Sequence, residues 1–288
     1  MRADPITGPV AFHGEGPVWW SGWGGLRWVD MLAGDVLQLG EDGTVTRRHV
    51  ADVVAAIRPR QAGGAVLAVE RGFVLEDEAG ALTPLQELWE TPAVRMNDGG
   101  CDPDGRFYCG SMAYAQTPGA GGLHRLNLDC TSSRVLGGLT ISNGLEWSPD
   151  GSRAYHVDTP TRQVTVFDYT ENGELAHPRR FASVPGLPDG ITVDRDGGVW
   201  VAIFDGGRVL RYGPDGSLDV EVRLPVTNVT ACTFGGPRLD RLFITTTRMV
   251  TLDTDPLAGS VFVADVGATG VPARTFAGGL GGESLRPA

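Results

Sequence analysis

Four oxygen-bearing side chains fall at one phase of this sequence, and their chemistry suits a hard divalent cation. Glu15 lies nine residues before Gly24, while Asn97, Asn143 and Asp189 each lie eight before Gly105, Gly151 and Gly197. Carboxylate and carboxamide oxygens, completed by water, are what Ca²⁺, Mg²⁺ and Mn²⁺ take as ligands, and Zn²⁺ tolerates them where geometry imposes them. The competing reading is that Asn143-Gly144 and Asp189-Gly190 are hairpin turns. Against it, Asn97-Asp98-Gly99-Gly100 and Gly14-Glu15-Gly16-Pro17 repeat a polar side chain beside glycine, and Glu is a poor turn residue.

Elements that could bring the four together are visible as a repeat. Asp102-Pro103-Asp104-Gly105-Arg106-Phe107-Tyr108 returns as Ser148-Pro149-Asp150-Gly151-Ser152-Arg153-Ala154-Tyr155 and as Asp194-Arg195-Asp196-Gly197-Gly198-Val199-Trp200. Weaker copies surround Gly24, Gly64 and Asp240, and the six markers advance by 40, 41, 46, 46 and 43 residues. Periods of this length belong to blades of four short strands, and six of them make an all-β, six-bladed β-propeller with a central metal site. In such a ring the strand entering each marked turn is the inner one, so the four side chains should meet at one mouth of the channel.

The chain of 288 residues carries no linker or charge run, so a single domain over 1–288 is expected. Glycine, at 42 residues, is about twice its usual share, which fits many tight turns. A net charge of −11 without a basic cluster excludes nucleic acid and anionic membrane surfaces as partners. Neither a leader-like apolar start nor a run of 18 apolar residues is present, and a cytoplasmic location is expected. All 24 basic residues are arginine, which removes Schiff-base lysine chemistry and a Walker P-loop.

Other chemistries are missing as well. No G-x-S-x-G elbow, H-E-x-x-H or complete EF-hand loop occurs. Cys101, Cys109, Cys130 and Cys232 form no CxxC pair and read as small buried hydrophobes. His13, near Glu15, is expected to be structural, and the other histidines share no ligand spacing. Trp19, Trp20, Trp23, Trp28, Trp147 and Trp200 read as core between blades, and Asp30 and Asp158 as recurring turn-capping aspartates.

With these residues in view, the chain resembles the SMP-30/gluconolactonase/regucalcin-like family over nearly its whole length. The resemblance is carried by Gly14-Glu15-Gly16-Pro17-Val18-Trp19, Arg95-Met96-Asn97-Asp98-Gly99, the turn beginning at Asp102, Ser142-Asn143-Gly144-Leu145 and Pro188-Asp189-Gly190. It implies a six-bladed propeller that holds one divalent metal and hydrolyses sugar lactones, with Glu15, Asn143 and Asp189 as metal ligands and Arg95 and Asn97 as substrate-binding residues. Some family members place a glutamate in the loop that here reads Ala115-Gln116-Thr117-Pro118-Gly119-Ala120-Gly121-Gly122, so the sugar preferred is left open.

The expected reaction is metal-assisted opening of an aldonolactone to the open-chain acid, with the cation polarising the carbonyl and Asp189 also serving as general base. The cation could be Ca²⁺, Zn²⁺, Mg²⁺ or Mn²⁺, the partner is a small sugar lactone, and a monomer is expected. Two alternatives stand beside it. One is a broader metal-dependent lactonase or phosphotriesterase; the other is a non-catalytic calcium-binding propeller.

Overall fold

The computed structural model describes residues 1–170, 172–250 and 255–280. Six four-stranded antiparallel sheets form from sequential hairpins. Their inner strands are Gly14–Trp20, Val54–Pro59, Val94–Cys101, Ser142–Trp147, Leu187–Val193 and Val229–Gly235, here the inner strands of blades 1 to 6. Each inner strand packs beside the next and the sixth returns to the first, so the ring closes into a propeller.

All six marked turns join an inner strand to the second strand of its blade. Gly105, Gly151 and Gly197 take left-handed φ values of 82°, 74° and 82°, which L side chains rarely adopt. An aspartate braces two of these turns from the side. Asp102 Oδ1 accepts the amides of Asp104 (3.0 Å) and Arg106 (2.7 Å), and Asp194 Oδ1 accepts those of Asp196 (3.0 Å) and Gly198 (2.8 Å). In blade 4 the Ser148 hydroxyl takes the corresponding place, accepting the Arg153 amide at 3.0 Å.

Closure uses a strand the repeat does not reveal. Blade 6 has three strands of its own, and its outer position is filled by Asp4–Pro5, which pairs with Phe262–Asp265. Beyond that blade the chain crosses beneath the channel. Arg195 N donates to Thr269 O (2.7 Å) near blade 5, while Phe276 N donates to Pro59 O (2.8 Å) and Ala277 N to Gly105 O (2.9 Å) at blades 2 and 3. This strap covers the turn-bearing end of the ring.

The cores lie between and within blades, as alternating strand residues require. Trp28, Trp147 and Trp200 are fully buried as expected, but Trp19, Trp20 and Trp23 are only half-buried because they border the exposed turn at Gly24. Trp23 still bridges blades, donating its indole N–H to Gly64 O at 3.2 Å. Cys101, Cys109 and Cys232 are buried free thiols, while Cys130 is half-buried in a turn with φ of 64°. Among the described residues no helix is long and apolar enough to cross a membrane.

Candidate active site

A β-bulge interrupts every inner strand at nearly the same height. The register with the second strand slips between Glu15 and Val18, Val54 and Ala56, Met96 and Gly99, Ser142 and Leu145, Pro188 and Ile191, and Val229 and Ala231. Bulges re-aim side chains by leaving a residue out of the ladder. The residues left out include Asn97, Asn143 and Asp189, and Glu15 is the last paired residue before its own bulge. The shared phase in the sequence is therefore the trace of a repeated bulge.

This settles what the glycines beside the site do. Asn143-Gly144 and Asp189-Gly190 are not hairpin turns but lie inside inner strands. A Cβ on Gly144 would meet Asp189 O at 2.7 Å, and one on Gly190 would meet the Ala231 Cα at 2.9 Å. Glycine is needed because neighbouring inner strands converge there.

Glu15, Arg95, Asn97, Asn143 and Asp189 are all buried. A hydrogen-bonded chain links four of the five across blades 3, 4 and 5. Arg95 Nη1 donates to Asn97 Oδ1 at 2.7 Å, and Asn97 Nδ2 donates to Asn143 Oδ1 at 2.9 Å. Asn143 Nδ2 donates to Thr159 Oγ1 at 2.9 Å, and that hydroxyl donates to Pro188 O at 2.8 Å, next to Asp189. The Asn143 amide also stabilises the Asp189 carboxylate. Glu15 closes the group electrostatically from blade 1.

Burial and mutual repulsion dominate the charges. The Glu15 carboxyl is pushed up to about 8, first by burial and then by the Asp98 charge, with the Gly16 amide and Arg95 pulling the other way. Asp189 is raised well above the usual carboxylate range by burial, then by Glu15 and Asp98. Arg95 is itself lowered by burial. Two buried carboxylates held toward their neutral forms, with one guanidinium nearby, leave room for a cation that would stabilise both charges. Among the described residues no three His, Cys, Asp or Glu side chains cluster as a metal set. The residues that fit a cation are thus two carboxylates and a carboxamide, an oxygen set that water would complete.

Three participants were not singled out from the sequence. Asp98 occupies the position that is Gly16, Gly144 and Gly190 in other blades, and a carboxylate where its phase-mates are glycine was the available signal. Thr159 lies in a 3₁₀ turn between strands, outside the repeat phase, and gave none. Tyr114 stands over Arg95 with 5.8 Å between guanidinium carbon and ring centroid, in a loop with no carboxylate of its own.

The histidines are structural in geometry. His13 is buried, pushed down to about 3 by burial and then by Arg95, and its Nδ1 lies 2.9 Å from Thr247 Oγ1. His124 pairs with Ser111 and His156 with Ser142, and among the described residues neither ring meets a carboxylate as a serine triad requires. Asp30 and Asp158 do cap backbone, but not in their own turns. Asp30 accepts the amides of Phe12 and His13, and Asp158 those of Thr140 and Ile141, so each clamps the segment entering its blade's inner strand.

The chain is similar to known proteins over most of its length. The family described as SMP-30/Gluconolactonase/LRE-like region matches residues 13–248. The chain is 36% identical to the 6-deoxy-6-sulfogluconolactonase of Pseudomonas putida, over 92% of this chain and 95% of that protein. It is 35% identical to the L-arabinolactonase of Azospirillum brasilense, over 92% of each. Among solved structures, the calcium-binding protein regucalcin from Agrobacterium tumefaciens superimposes with a TM-score of 0.88 at 26% identity, covering 94% of this chain and 95% of that one.

Proposed function

Because the chain belongs to the SMP-30/gluconolactonase/LRE-like family, we propose that it is a metal-dependent lactonase that opens a sugar lactone to its aldonic acid. The observation that carries this reading is the pairing of two buried carboxylates, Glu15 and Asp189, with the Arg95–Asn97–Asn143 hydrogen-bonded chain at one mouth. Relatives named as lactonases at 35% and 36% identity point the same way.

Glu15, Asn143 and Asp189 would hold one divalent cation, which when bound supplies Lewis-acid polarisation of the lactone carbonyl. Asp189 takes the proton of the attacking water through a carboxylate oxygen. Arg95 presents its guanidinium to a lactone oxygen, braced by Asn97 Oδ1 and by Met96 O at 2.9 Å. Asn97 fixes the height of a substrate hydroxyl while its amide stays tied to blade 4 through Ser142 O at 3.1 Å. No nucleophilic side chain is needed.

A purely calcium-binding role has one supporting observation, the likeness to a structure titled as a calcium-binding protein. Arg95 weighs against it, because a buried guanidinium beside both carboxylates opposes a cation unless substrate oxygens also occupy the mouth. The acting protein would be a monomer forming one propeller domain, and its free thiols suit a reducing, cytoplasmic compartment. A pH-indicator assay on EDTA-stripped protein tests the function, using glucono-, galactono-, arabinono- and xylonolactone with paraoxon as outsider and each metal restored in turn. Acid release that returns with metal on sugar lactones supports it. Tight Ca²⁺ binding with no turnover would leave a binding protein, and faster turnover of paraoxon would make it a phosphotriesterase.

A further inference from the structure

Two blades build the rim beside Arg95. Tyr114 follows the second strand of blade 3, and its phenol donates to Glu70 Oε1 at 2.6 Å. Glu70 lies between the second and third strands of blade 2, and its carbonyl accepts the Met96 amide at 2.8 Å. Met96 separates Arg95 from Asn97, so Glu70 is anchored to the strand that carries both candidate substrate-binding residues.

The charge of Glu70 is weakly balanced. Arg71 Nε stands 3.9 Å away, and the Arg71 guanidinium is engaged by Glu87 Oε1 at 2.9 Å and Glu90 O at 3.1 Å. Glu70 keeps 29% of its side-chain exposure and lines a cleft of about 210 Å³ with Asp52, Arg71 and Glu87. Tyr114 is pushed up to about 12, by burial and then by Glu70, so the phenol remains a donor and the carboxylate an acceptor. Through Tyr114, which stands over Arg95, Glu70 places a carboxylate acceptor near the substrate-binding candidates, and such a group suits hydroxyl donors and repels anions.

We propose that the charge of Glu70 is specificity-determining: its carboxylate accepts hydroxyl hydrogen bonds from the uncharged polyol end of the lactone and disfavours lactones bearing a phosphate or sulfonate there. This rests on the lactonase reading above and adds the class of substrate. It also separates this chain from a sulfolactone-processing role, although a relative at 36% identity carries such a name.

The test is kcat/KM for glucono-1,5-lactone and for its 6-phosphate, measured on the metal-loaded wild type, Glu70→Gln, Glu70→Arg and Tyr114→Phe. The neutral-over-phosphate ratio should fall about tenfold in Glu70→Gln and further in Glu70→Arg, with KM carrying most of the change. Metal affinity by calorimetry should stay within about twofold of wild type, which excludes a collapsed site. Tyr114→Phe keeps the charge and should hold the ratio within about twofold, whereas a merely structural pair would make it behave like Glu70→Gln. An unchanged ratio in Glu70→Arg, or an equal loss in Tyr114→Phe, overturns the assignment of Glu70 alone. A wild type inactive on both lactones overturns the lactonase reading, and Glu70 falls with it.

Discussion

The upper and lower halves of the central channel are lined by the same inner strands yet differ in how many guanidinium groups face their carboxylates. Above, Glu15 and Asp189 face one guanidinium, Arg95, and both carboxyls are held toward their neutral forms. Below, Asp98 and Glu146 face two, Arg58 and the strap's Arg274, in a cavity of about 50 Å³. Both lower carboxyls are still raised by burial, but each is drawn back by an arginine: Asp98 by Arg58, and Glu146 by Arg274 and Arg58. A chamber of that volume has room for a few waters. The comparison teaches that carboxylates in a propeller channel do not by themselves make a cation site. The candidate cation site is the half in which two carboxylates face a single guanidinium, whereas Arg58 of blade 2 and the strap's Arg274 supply two below.

Substitutions should separate the two halves. Asp189→Ala is expected to have the largest effect, lowering kcat by about 10² to 10⁴ at saturating metal and weakening the cation as well. Stopped-flow kinetics with metal titration would check it, and full turnover at saturating metal would sink the role given to Asp189. Arg58→Ala should act on the other half. It leaves Asp98 and Glu146 short of a half-buried counter-charge and should cost about 1 kcal/mol of stability in urea unfolding, while metal-loaded kcat is kept. Equal stability with lost activity would mean the two chambers are one functional unit.

A smaller effect comes from pH, with its sign set by Glu15. Its carboxyl moves from the ordinary 4.5 to about 8 on folding. Below pH 4.5 it is protonated in both states and adds no penalty. As pH rises toward 8 the unfolded chain ionises while the folded one resists, so metal-free stability should fall across that window and level off above it. Cation binding should strengthen over the same window and release protons, the number dropping toward zero above about pH 8. Calorimetry in two buffers of different ionisation enthalpy counts those protons, and none released at pH 6 would refute the assignment of Glu15. The smallest change is expected of Thr159→Val, which removes one of the two acceptors of the Asn143 amide and leaves Asp189 as the other. It should cost about 1 kcal/mol of stability and weaken the cation several-fold by loosening Asn143. An unaltered metal affinity would mean that Asn143 is oriented by Asn97 and Asp189 alone.

Much of the architecture was legible in the residues because it is local. Six marked turns, their left-handed glycines and the tryptophan-bearing strands repeat within about one blade length, and short-range chemistry repeats with them. Glu15, Asn97, Asn143 and Asp189 were legible for the same reason, since a bulge at one height leaves a mark at one phase. Arg95 was not in phase, and its place came from the resemblance of the segment around Asn97. The burial of Trp19, Trp20 and Trp23 was overestimated because aromatic composition does not say which residues border an open turn.

By itself, then, the sequence determined the blade count, the height of the candidate site and the absence of lysine chemistry, all of which depend on residue types and their short spacing. Only the tertiary structure decided that Asp4–Pro5 closes blade 6, that residues 269–279 strap the channel, and that Glu70 meets Tyr114 from another blade. It alone also decided which buried carboxylates are matched by arginine. Those outcomes join residues far apart in the chain, through contacts that no periodicity encodes, and the balance of charge in a closed channel exists only once the ring has brought them together.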